Sequence, residues 1–351
     1  MDIPLLLYGA YGYTGELIAQ LAHQKGLRLH LAGRDEARTA ALAERLDMPY
    51  SVFDLRNSQA LEAALGKVGA VLHAAGPFSA TAQPMVEACL HTKTHYLDIT
   101  GEIAVFEWIA QQHARAVKAG ISLLPGAGFD VVPSDCLAAF LYSQLPDAHT
   151  LELGFKAIGQ MSRGTTLTMV ENLPKGGMIR QNSLLKTVGA AHEVRLIPEL
   201  DPKHPAVAIP WGDVSTAFHS TGIPNITVYM VVPSRLLQGM RLSRYTAPIL
   251  GLGFVQNFLK NYVRKRITGP DEHHRNNSHS VLWGKVTNAE GQSYSALLHT
   301  PEGYALTAQT ALEIALRMLQ GDTLEGFLTP SKAFGADFIL QFEGVRRQLL
   351  A

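Results

Sequence analysis

The feature that most constrains the fold is a glycine-rich loop between an apolar run and an amphipathic segment. The run Ile3–Tyr8 has the length and composition of a buried β-strand, and Thr14–Lys25 has its apolar side chains on one helical face. The loop between them reads Gly9-Ala10-Tyr11-Gly12-Tyr13-Thr14-Gly15. A strand, a glycine turn and a helix in this order bring backbone N–H groups to the positive end of a helix dipole. The arrangement predicts a phosphate-binding site.

The spacing of the three glycines gives each a role. Gly9 permits the tight turn, Gly12 lets the backbone approach a pyrophosphate, and Gly15 lets the helix pack closely on the strand. We therefore predict that the loop binds a dinucleotide, although a purely structural turn is the alternative. The predicted cradle consists of Gly9, Tyr11, Gly12, Tyr13, Thr14 and Gly15.

The end of the second predicted strand, Arg28–Ala32, indicates which dinucleotide binds. An acidic residue about 20 residues after the loop binds the ribose hydroxyls of NAD, whereas an arginine there binds the 2′-phosphate of NADP. Arg34 comes first and Asp35 follows it. Because Asp35 is well placed to cap the next helix, Asp35–Leu46, we predict NADP as the cofactor, with NAD less favoured.

Two further loops are candidates for cofactor contact. Asp54 follows the third predicted strand, Tyr50–Phe53, and either meets the adenine or serves only as a turn residue. The segment Ala75-Gly76-Pro77 follows the fourth predicted strand, Gly69–Ala74. Small residues and a Gly-Pro pair let the backbone pass close to a flat ligand beyond the strand end. We predict that this segment lies beside the nicotinamide ribose.

Strands and helices alternate over roughly the first 125 residues, which predicts an α/β fold with a Rossmann doubly wound parallel sheet. After His149 the sequence becomes irregular and rich in Gly and Pro, which predicts an inserted α+β domain. The helix predicted at Tyr304–Leu319 is expected to pack back on the first domain. The predicted domains are 1–148, a second domain at 149–300 for substrate binding and dimerisation, and a returning segment at 301–351. The other predicted elements are Ser58–Leu65, Tyr96–Ile99, Ile103–Lys118, Ile121–Leu124, Asp130–Leu145, Leu151–Ile158, Thr187–Ala190, His192–Ile197 and Asn225–Val232.

Composition excludes several classes of function. The 351 residues include 30 basic and 30 acidic side chains, so no overall charge favours nucleic acid. Two cysteines are too few for a disulfide framework and fit a reducing, cytoplasmic setting. No apolar segment approaches the length of about 18 residues that a membrane span needs. We expect a homodimer that acts on a small-molecule substrate.

Motifs spread over nearly the whole chain carry a family resemblance. They are Leu7–Gly15, Ala74–Phe78, Tyr96–Glu102, Gly128–Asp135, Arg163–Thr165, Trp211–Val214 and Pro301–Thr307. On these segments the chain resembles the saccharopine dehydrogenase-like oxidoreductases, and among them the branch that includes trans-acting enoyl reductases. The resemblance implies an NADP-binding domain, an inserted α+β domain, and hydride transfer to an acyl, enoyl or lipid-like substrate. The alternative is a non-catalytic dinucleotide-binding scaffold or sensor at a lipid surface.

Acidic residues after two strands are the candidate proton donors. Asp98 lies near the end of the fifth predicted strand and close to Glu102, and Asp130 follows the sixth. Both lie at strand carboxyl ends, so both could line the cleft and supply a proton. Tyr96 is another candidate donor. The alternative is that Asp98 and Asp130 only hold loop amides.

The histidines do not predict a metal site. His273, His274 and His279 are close in sequence, but they lie in a polar stretch without a neighbouring cysteine or a helical His pair.

One segment, residues 235–266, has seven basic residues and no acidic one. Within it, six apolar side chains fall on one helical face, and Arg264-Lys265-Arg266 follows. The segment is open to four interpretations: peripheral membrane contact, a lid over an apolar substrate, a dimer contact, or an ordinary helix packed on the core. The six apolar residues are Phe254, Val255, Phe258, Leu259, Tyr262 and Val263.

Overall fold

The computed structural model describes residues 2–157, 162–266 and 278–350. The chain divides into two compact units, each made of two separate stretches. The first unit consists of Met1–Val132 and Tyr304–Gly335, and the second of Pro133–Gly303 and Ala336–Ala351.

The first stretch of the first unit alternates strands and helices, as the sequence predicts. Its strands are β1 (Asp2–Tyr8), β2 (Arg28–Gly33), β3 (Tyr50–Val52), β4 (Ala70–His73), β5 (His95–Asp98) and β6 (Ser122–Leu124). Its helices are α1 (Tyr13–Gln24), α2 (Glu36–Leu46), α3 (Ser58–Leu65), α4 (Phe78–Thr92), α5 (Ile103–Gln111) and α6 (His113–Ala119). The single helix predicted at Ile103–Lys118 is interrupted at Gln112, and α4 was not predicted.

The second unit mixes strands and helices. It contains α7 (Val132–Gln144), β7 (Thr150–Ala157), α8 (Arg163–Asn172), β8 (Gly177–Gln181), β9 (Leu184–Val188), β10 (Val194–Ile197), β11 (Asp201–Ala208), α9 (Asp213–Thr221), β12 (Asn225–Val231), α10 (Ser234–Leu250), α11 (Gly253–Arg266), β13 (His279–Thr287) and β14 (Ser293–Pro301). The chain then forms α12 (Gly303–Leu319), β15 (Gly326–Phe327), α13 (Pro330–Phe334) and β16 (Arg346–Leu350).

The sheet of the first unit is parallel throughout. Its order in the described residues is β15-β6-β5-β4-β1-β2-β3. The chain adds β2 and β3 on one side of β1 and then crosses over to add β4, β5 and β6 on the other side, so the switch point lies between β1 and β4. This is the strand order of dinucleotide-binding folds, and ligands bind at such a switch point beyond the strand carboxyl ends. The run Leu5–Leu7 is fully buried because β1 lies in the middle of the sheet. The predicted doubly wound fold is confirmed.

The second sheet is mixed. Its order is β10-β11-β12-β7-β13-β14-β16, and β8 pairs with both β12 and β9. The strands β12 and β7 are parallel, whereas β13 is antiparallel to both β7 and β14. The predicted second α+β domain is therefore present. The last residue of the predicted strand Leu151–Ile158, Ile158, lies outside the described residues.

The boundaries between the units differ from the predicted ones. The first boundary lies after Val132 instead of residue 148, because α7 packs in the second unit. A Cβ at Gly284 of β13 would lie 2.6 Å from the Leu141 side chain of α7, so the missing side chain makes room for the helix. The predicted returning segment, 301–351, is also divided. Tyr304–Gly335 belongs to the first unit, but β16 pairs with β14 in the second.

Among the described residues, no helix combines the length and apolar composition that crossing a bilayer requires.

Candidate active site

The glycine loop is held between the ends of three strands. Gly9 follows β1 with a φ of +84°, a conformation that strongly favours glycine. The N–H groups of Gly9 and Ala10 donate to the carbonyl oxygen of Ala32 on β2, at 2.8 and 3.2 Å. On the other side, a Cβ at Gly9 would lie 2.8 Å from the Cβ of Ala75, just after β4. Only glycine fits at this position.

Gly12 and Gly15 do different things in the same loop. A Cβ at Gly15 would lie 2.3 Å from the Gly9 carbonyl oxygen, so Gly15 is needed for the loop to close on α1. Gly12 is the N-cap of α1 and offers no side chain to the first turn. A Cβ at Gly12 would meet its nearest neighbour, the same oxygen, at 3.1 Å. The helix start thus presents backbone without a side chain, which fits a bound pyrophosphate.

The aromatic and hydroxyl residues of the predicted cradle, Tyr11, Tyr13 and Thr14, are all partly exposed. The Tyr13 ring contacts Tyr304 of α12 edge to face, with the ring centres 4.9 Å apart. The returning helix therefore supports the loop from within the same unit.

Two arginines stand where the adenosine ribose is expected. Asp35 accepts a hydrogen bond from the backbone N–H of Arg38 at 3.1 Å and caps α2, which confirms the N-cap interpretation. Arg34 is exposed at the end of β2. Arg38 donates to the Tyr11 carbonyl oxygen at 2.9 Å, and its guanidinium lies 4.5 Å from the centre of that ring. Gly33 makes room for the ring, since a Cβ there would lie 2.3 Å from Tyr11 Cε1. Sequence reasoning missed Arg38, although its position four residues after Arg34 was a usable signal.

Asp54 has local contacts. It accepts from both the backbone N–H and the guanidinium of Arg56, at 2.9 Å each, and these bonds lower the pKa of Asp54 to about 2. The contacts are those of the turn residue that the sequence left as the alternative. Contact of Asp54 with the adenine stays a prediction.

The segment after β4 is fixed by a buried histidine and a threonine. The Thr81 hydroxyl lies 2.7 Å from the carbonyl oxygen of Ala75 and 3.0 Å from that of Pro77, and it can donate to either. His73 Nε2 lies 3.0 Å from the same hydroxyl. Burial lowers the pKa of His73 to about 3, so the neutral ring donates to Thr81. Gly76 and Pro77, joined by a cis peptide bond, remain exposed. Neither His73 nor Thr81 carries a sequence signal for this role.

The side chain of Glu102 caps α4, the helix that begins directly after Pro77. Its carboxylate accepts from the N–H groups of Phe78 and Ser79, at 2.8 and 2.9 Å. The N-cap residue of α4, Pro77, makes no side-chain cap, so the carboxylate replaces one. Glu102 therefore links the loop after β5 to the start of α4.

Asp98 is fully buried and connects two loops. Its Oδ1 accepts from the N–H groups of Thr100 and Gly126 at 2.9 Å each, and its Oδ2 accepts from the Tyr96 hydroxyl at 2.5 Å. Burial raises the pKa of Asp98 to about 6, against the opposing effect of these hydrogen bonds. Asp98 thus holds loop amides, which is the alternative role that the sequence left open. Its enclosed partner Tyr96 is fully buried too.

Asp130 has a different environment. It lies in the turn before α7 and keeps part of its surface exposed. Its carboxylate packs against Gly101, where a Cβ would lie 2.8 Å from Oδ2. Within the described part of the chain it makes no hydrogen bond or ion pair. Desolvation raises the pKa of Asp130 to about 6. A carboxyl group of this kind can hold and release a proton near neutral pH.

The returning helix α12 holds the loop that carries Asp130. Thr307 Oγ1 accepts from the Phe129 N–H at 2.9 Å, and Thr310 Oγ1 donates to the Ala127 carbonyl oxygen at 2.8 Å. A Cβ at Gly128 would lie 2.8 Å from the Thr307 side chain. Thr307 lies in a motif that carried the resemblance, but its contact with this loop was not predicted.

The residues 2–157, 162–266 and 278–350 contain no group of three His, Cys, Asp or Glu side chains that could hold a metal ion. His279 lies in β13, whereas His273 and His274 fall outside the described residues.

Comparisons with known proteins agree with this geometry. The model of the saccharopine dehydrogenase NADP-binding domain family matches residues 5–124. The trans-acting enoyl reductase of Mycobacterium leprae is 28% identical over 394 residues, covering 95% of this chain and 94% of that protein. The trans-acting enoyl reductase of Mycobacterium ulcerans is 26% identical over 392 residues, with the same coverage.

The fold also matches a solved structure. Apo saccharopine dehydrogenase (L-Glu forming) from Saccharomyces cerevisiae superposes with a TM-score of 0.69 at 12% identity, and the match covers 100% of both chains. At this identity the likeness concerns the fold alone. The matched domain is NADP-binding, which agrees with the predicted cofactor, and the uncapped start of α1 and the two arginines fit that cofactor. Residues 5–124 thus match a saccharopine dehydrogenase NADP-binding domain, and the chain, which is similar to oxidoreductases over almost its whole length, is an oxidoreductase that uses NADP.

Proposed function

We propose that this oxidoreductase reduces the conjugated double bond of an enoyl thioester, with Asp130 as the proton donor. The observation that carries the assignment is the contrast between two neighbouring carboxyl groups. Asp98 is fully buried and has three hydrogen-bond donors around it. Asp130 has a raised pKa, partial exposure and no such partner in the described residues.

The substrate class rests on the relatives. Proteins named trans-acting enoyl reductases align over 94–95% of both chains at 26–28% identity. Reduction of an enoyl thioester needs a proton as well as a hydride, so a carboxyl group that holds a proton near neutral pH suits this substrate. We extend to this chain the enoyl reductase activity that the names of these relatives state.

In the proposed reaction the cofactor supplies the hydride and the protein supplies the proton. NADPH, when bound, supplies the hydride that adds to the β-carbon of the enoyl group. Residues of the first unit bind the cofactor, donate the proton and position the loops. The Gly9–Gly15 loop binds the pyrophosphate, and Arg34 with Arg38 binds the 2′-phosphate. Asp130 gives its proton to the α-carbon, which completes the reduction of the C=C bond. Glu102, Thr307 and Thr310 position the loops that surround the reacting carbons.

The test pairs two conservative substitutions. We expect Asp130→Asn to lower kcat for reduction of a 2-enoyl thioester about 100-fold or more, because a positioned acid contributes that much. Its affinity for NADPH should stay unchanged in a fluorescence titration. Asp98→Asn is the matched control and should retain most of its turnover, since the amide oxygen still accepts from the two loop N–H groups.

Equal turnover of Asp130→Asn and the unmodified protein would exclude Asp130 as the donor. If the unmodified protein binds NADPH but does not oxidise it with any enoyl thioester, the substrate proposal fails, and turnover with keto thioesters alone would make it a carbonyl reductase. If it turns over neither class of thioester, the non-catalytic scaffold would be the better description.

A further inference from the structure

The helix α11 in the second unit has one face fixed against its neighbours. Val263 is 5% exposed. Gln256 Nε2 donates to the Val170 carbonyl oxygen on α8 at 2.9 Å, and the Lys260 ammonium lies 2.6 Å from a carboxylate oxygen of Glu171. These contacts fix the rotation of α11 about its own axis. The opposite face of the helix is therefore directed away from α8.

That opposite face carries three large aromatic side chains. Phe254 is 72% exposed, Phe258 71% and Tyr262 58%. Their spacing of four residues places them in one line along the helix, and we call this line the aromatic stripe. The sequence placed Val263 on the same face, but the structure separates it from the stripe. The ordinary interpretation, a helix with its aromatic residues packed on the core, is therefore wrong for the stripe.

Further exposed apolar side chains precede the stripe in the sequence. Ile249, near the end of α10, is 58% exposed, and Leu252, between the two helices, is 46% exposed. Single exposed apolar residues are common on protein surfaces, but a contiguous apolar segment indicates an interaction site.

The charged side chains of α10 and α11 are all basic, and the one acidic side chain described against α11, Glu171 of α8, is paired with Lys260 on the face opposite the stripe. Lys265 and Arg266 are exposed at the end of α11, and Arg235 and Arg241 are exposed on α10. The segment 235–266 has no acidic residue. A partner for this surface must therefore be apolar where it meets the stripe and anionic beside it. A second copy of the same surface would bring like charges together, which disfavours self-association through the stripe.

We propose that the aromatic stripe docks the protein on an anionic phospholipid bilayer, with α11 lying in the plane of the headgroups. Phenylalanine and tyrosine side chains enter the boundary between headgroups and acyl chains, while lysine and arginine side chains bind the anionic headgroups. The proposal concerns the second unit and does not depend on the reductase assignment. It would bring the protein to a surface where acyl groups are concentrated.

The test is cosedimentation with vesicles of phosphatidylcholine alone or with 30% phosphatidylglycerol, about the content that makes a membrane surface clearly anionic. We expect binding to the anionic vesicles at low salt and much weaker binding at about 0.5 M salt, where charges are screened. The double variant Phe254→Ala/Phe258→Ala should lose at least about tenfold in partitioning, because each ring contributes to burial. Lys265→Glu/Arg266→Glu should lose a similar amount.

The control variant is Leu184→Ala, which removes another exposed side chain, 71% exposed on β9. It should bind vesicles as the unmodified protein does. All variants should keep their melting temperature and NADPH affinity, which shows that the fold is intact. Failure of the unmodified protein to bind anionic vesicles at low salt would overturn the proposal. So would a self-association in solution that the double phenylalanine variant abolishes, because the stripe would then be an interface between copies.

Discussion

At the scale of single residues, two neighbouring carboxyl groups differ in what surrounds them. Asp98 ends β5, Asp130 follows the adjacent strand β6, and burial raises the pKa of each to about 6. Asp98 nevertheless has its oxygens occupied by two loop N–H groups and the Tyr96 hydroxyl. The sequence placed both carboxylates at strand carboxyl ends. It could not separate their roles, because residue spacing does not reveal which oxygen is already bonded.

Replacing Asp98 by alanine should destabilise the first unit. Two backbone N–H groups and one hydroxyl would lose their acceptor in a buried site, at a cost of about 1–3 kcal/mol each. We expect Asp98→Ala to lose about 3 kcal/mol or more of unfolding free energy in urea denaturation. Asp98→Asn should lose less than about 1.5 kcal/mol, since its amide oxygen keeps the two N–H bonds. Equal losses for both variants would show that these bonds are not what Asp98 contributes.

The reduction should have a defined pH dependence. A general acid acts in its protonated form, and the pKa of Asp130 is about 6. We therefore expect kcat/KM for reduction to be constant below about pH 6 and to fall about tenfold per pH unit above it. The measurement is an initial-rate series at subsaturating enoyl thioester. Asp130→Asn should lose this decline, and a variant that keeps it would assign the decline to another group.

Arg34 should discriminate between the two cofactors. It is exposed at the end of β2, and a charge-assisted bond to a 2′-phosphate would be absent with NADH. We expect Arg34→Ala to weaken NADPH binding about tenfold or more and to leave NADH binding within about twofold, by fluorescence titration. Arg38→Ala is the comparison, because Arg38 also supports Tyr11 and should affect both cofactors. Equal losses with both cofactors in Arg34→Ala would contradict the 2′-phosphate assignment.

At the scale of elements, the sequence predicted the parts whose signals are local. The run Ile3–Tyr8 corresponds to β1, and the predicted Tyr304–Leu319 differs from α12 by one residue. The helix α4 was missed because Pro84 lies inside it and its cap comes from Glu102, far along the chain. The hairpin of β13 and β14 was missed as well. Its pairing with β7 and β16 is long-range, and no short pattern specifies it.

Alanine substitutions at Gly15 and Gly12 should have different effects, the first on stability and the second on cofactor binding. Gly15→Ala would press a methyl group against the Gly9 carbonyl oxygen at 2.3 Å, so we expect a large drop in melting temperature. Gly12→Ala meets that oxygen at 3.1 Å and should fold. Its methyl group would occupy the approach to the pyrophosphate, so NADPH and NADH should both bind at least about tenfold more weakly. Thermal melting and cofactor titration check the pair, and unchanged cofactor binding in Gly12→Ala would argue against the cradle.

At the scale of the whole molecule, each unit is made of two separated stretches. The sequence predicted that the chain returns to the first unit. It did not predict that the residues after Gly335 belong to the second unit, where β16 pairs with β14. A strand of five residues such as β16 gives little signal of its partner. The segment Tyr304–Gly335 supplies β15 and the threonines of α12 to the first unit.

A chain that ends at Glu302 should therefore not bind NADPH, although every predicted cofactor residue is present. The loop carrying Asp130 would lose Thr307 and Thr310, and β6 would lose its neighbour β15. Isothermal titration with NADPH checks this. The control is a chain that ends at Gly335, which removes β16 and keeps the first unit whole. Cofactor binding by the shorter chain would show that the returning segment is dispensable.

The return of the chain to its first sheet has a consequence for synthesis. The Ser122 hydroxyl is hydrogen-bonded to that of Thr323, 201 residues later, and Phe129 to Thr307, 178 residues later. While a ribosome makes the protein, the first 132 residues emerge well before the segment Tyr304–Gly335, which completes their sheet. During that interval the free edge of β6 is open to pairing with another nascent chain. Cells should therefore need chaperones that bind this intermediate until the segment Tyr304–Gly335 has been made.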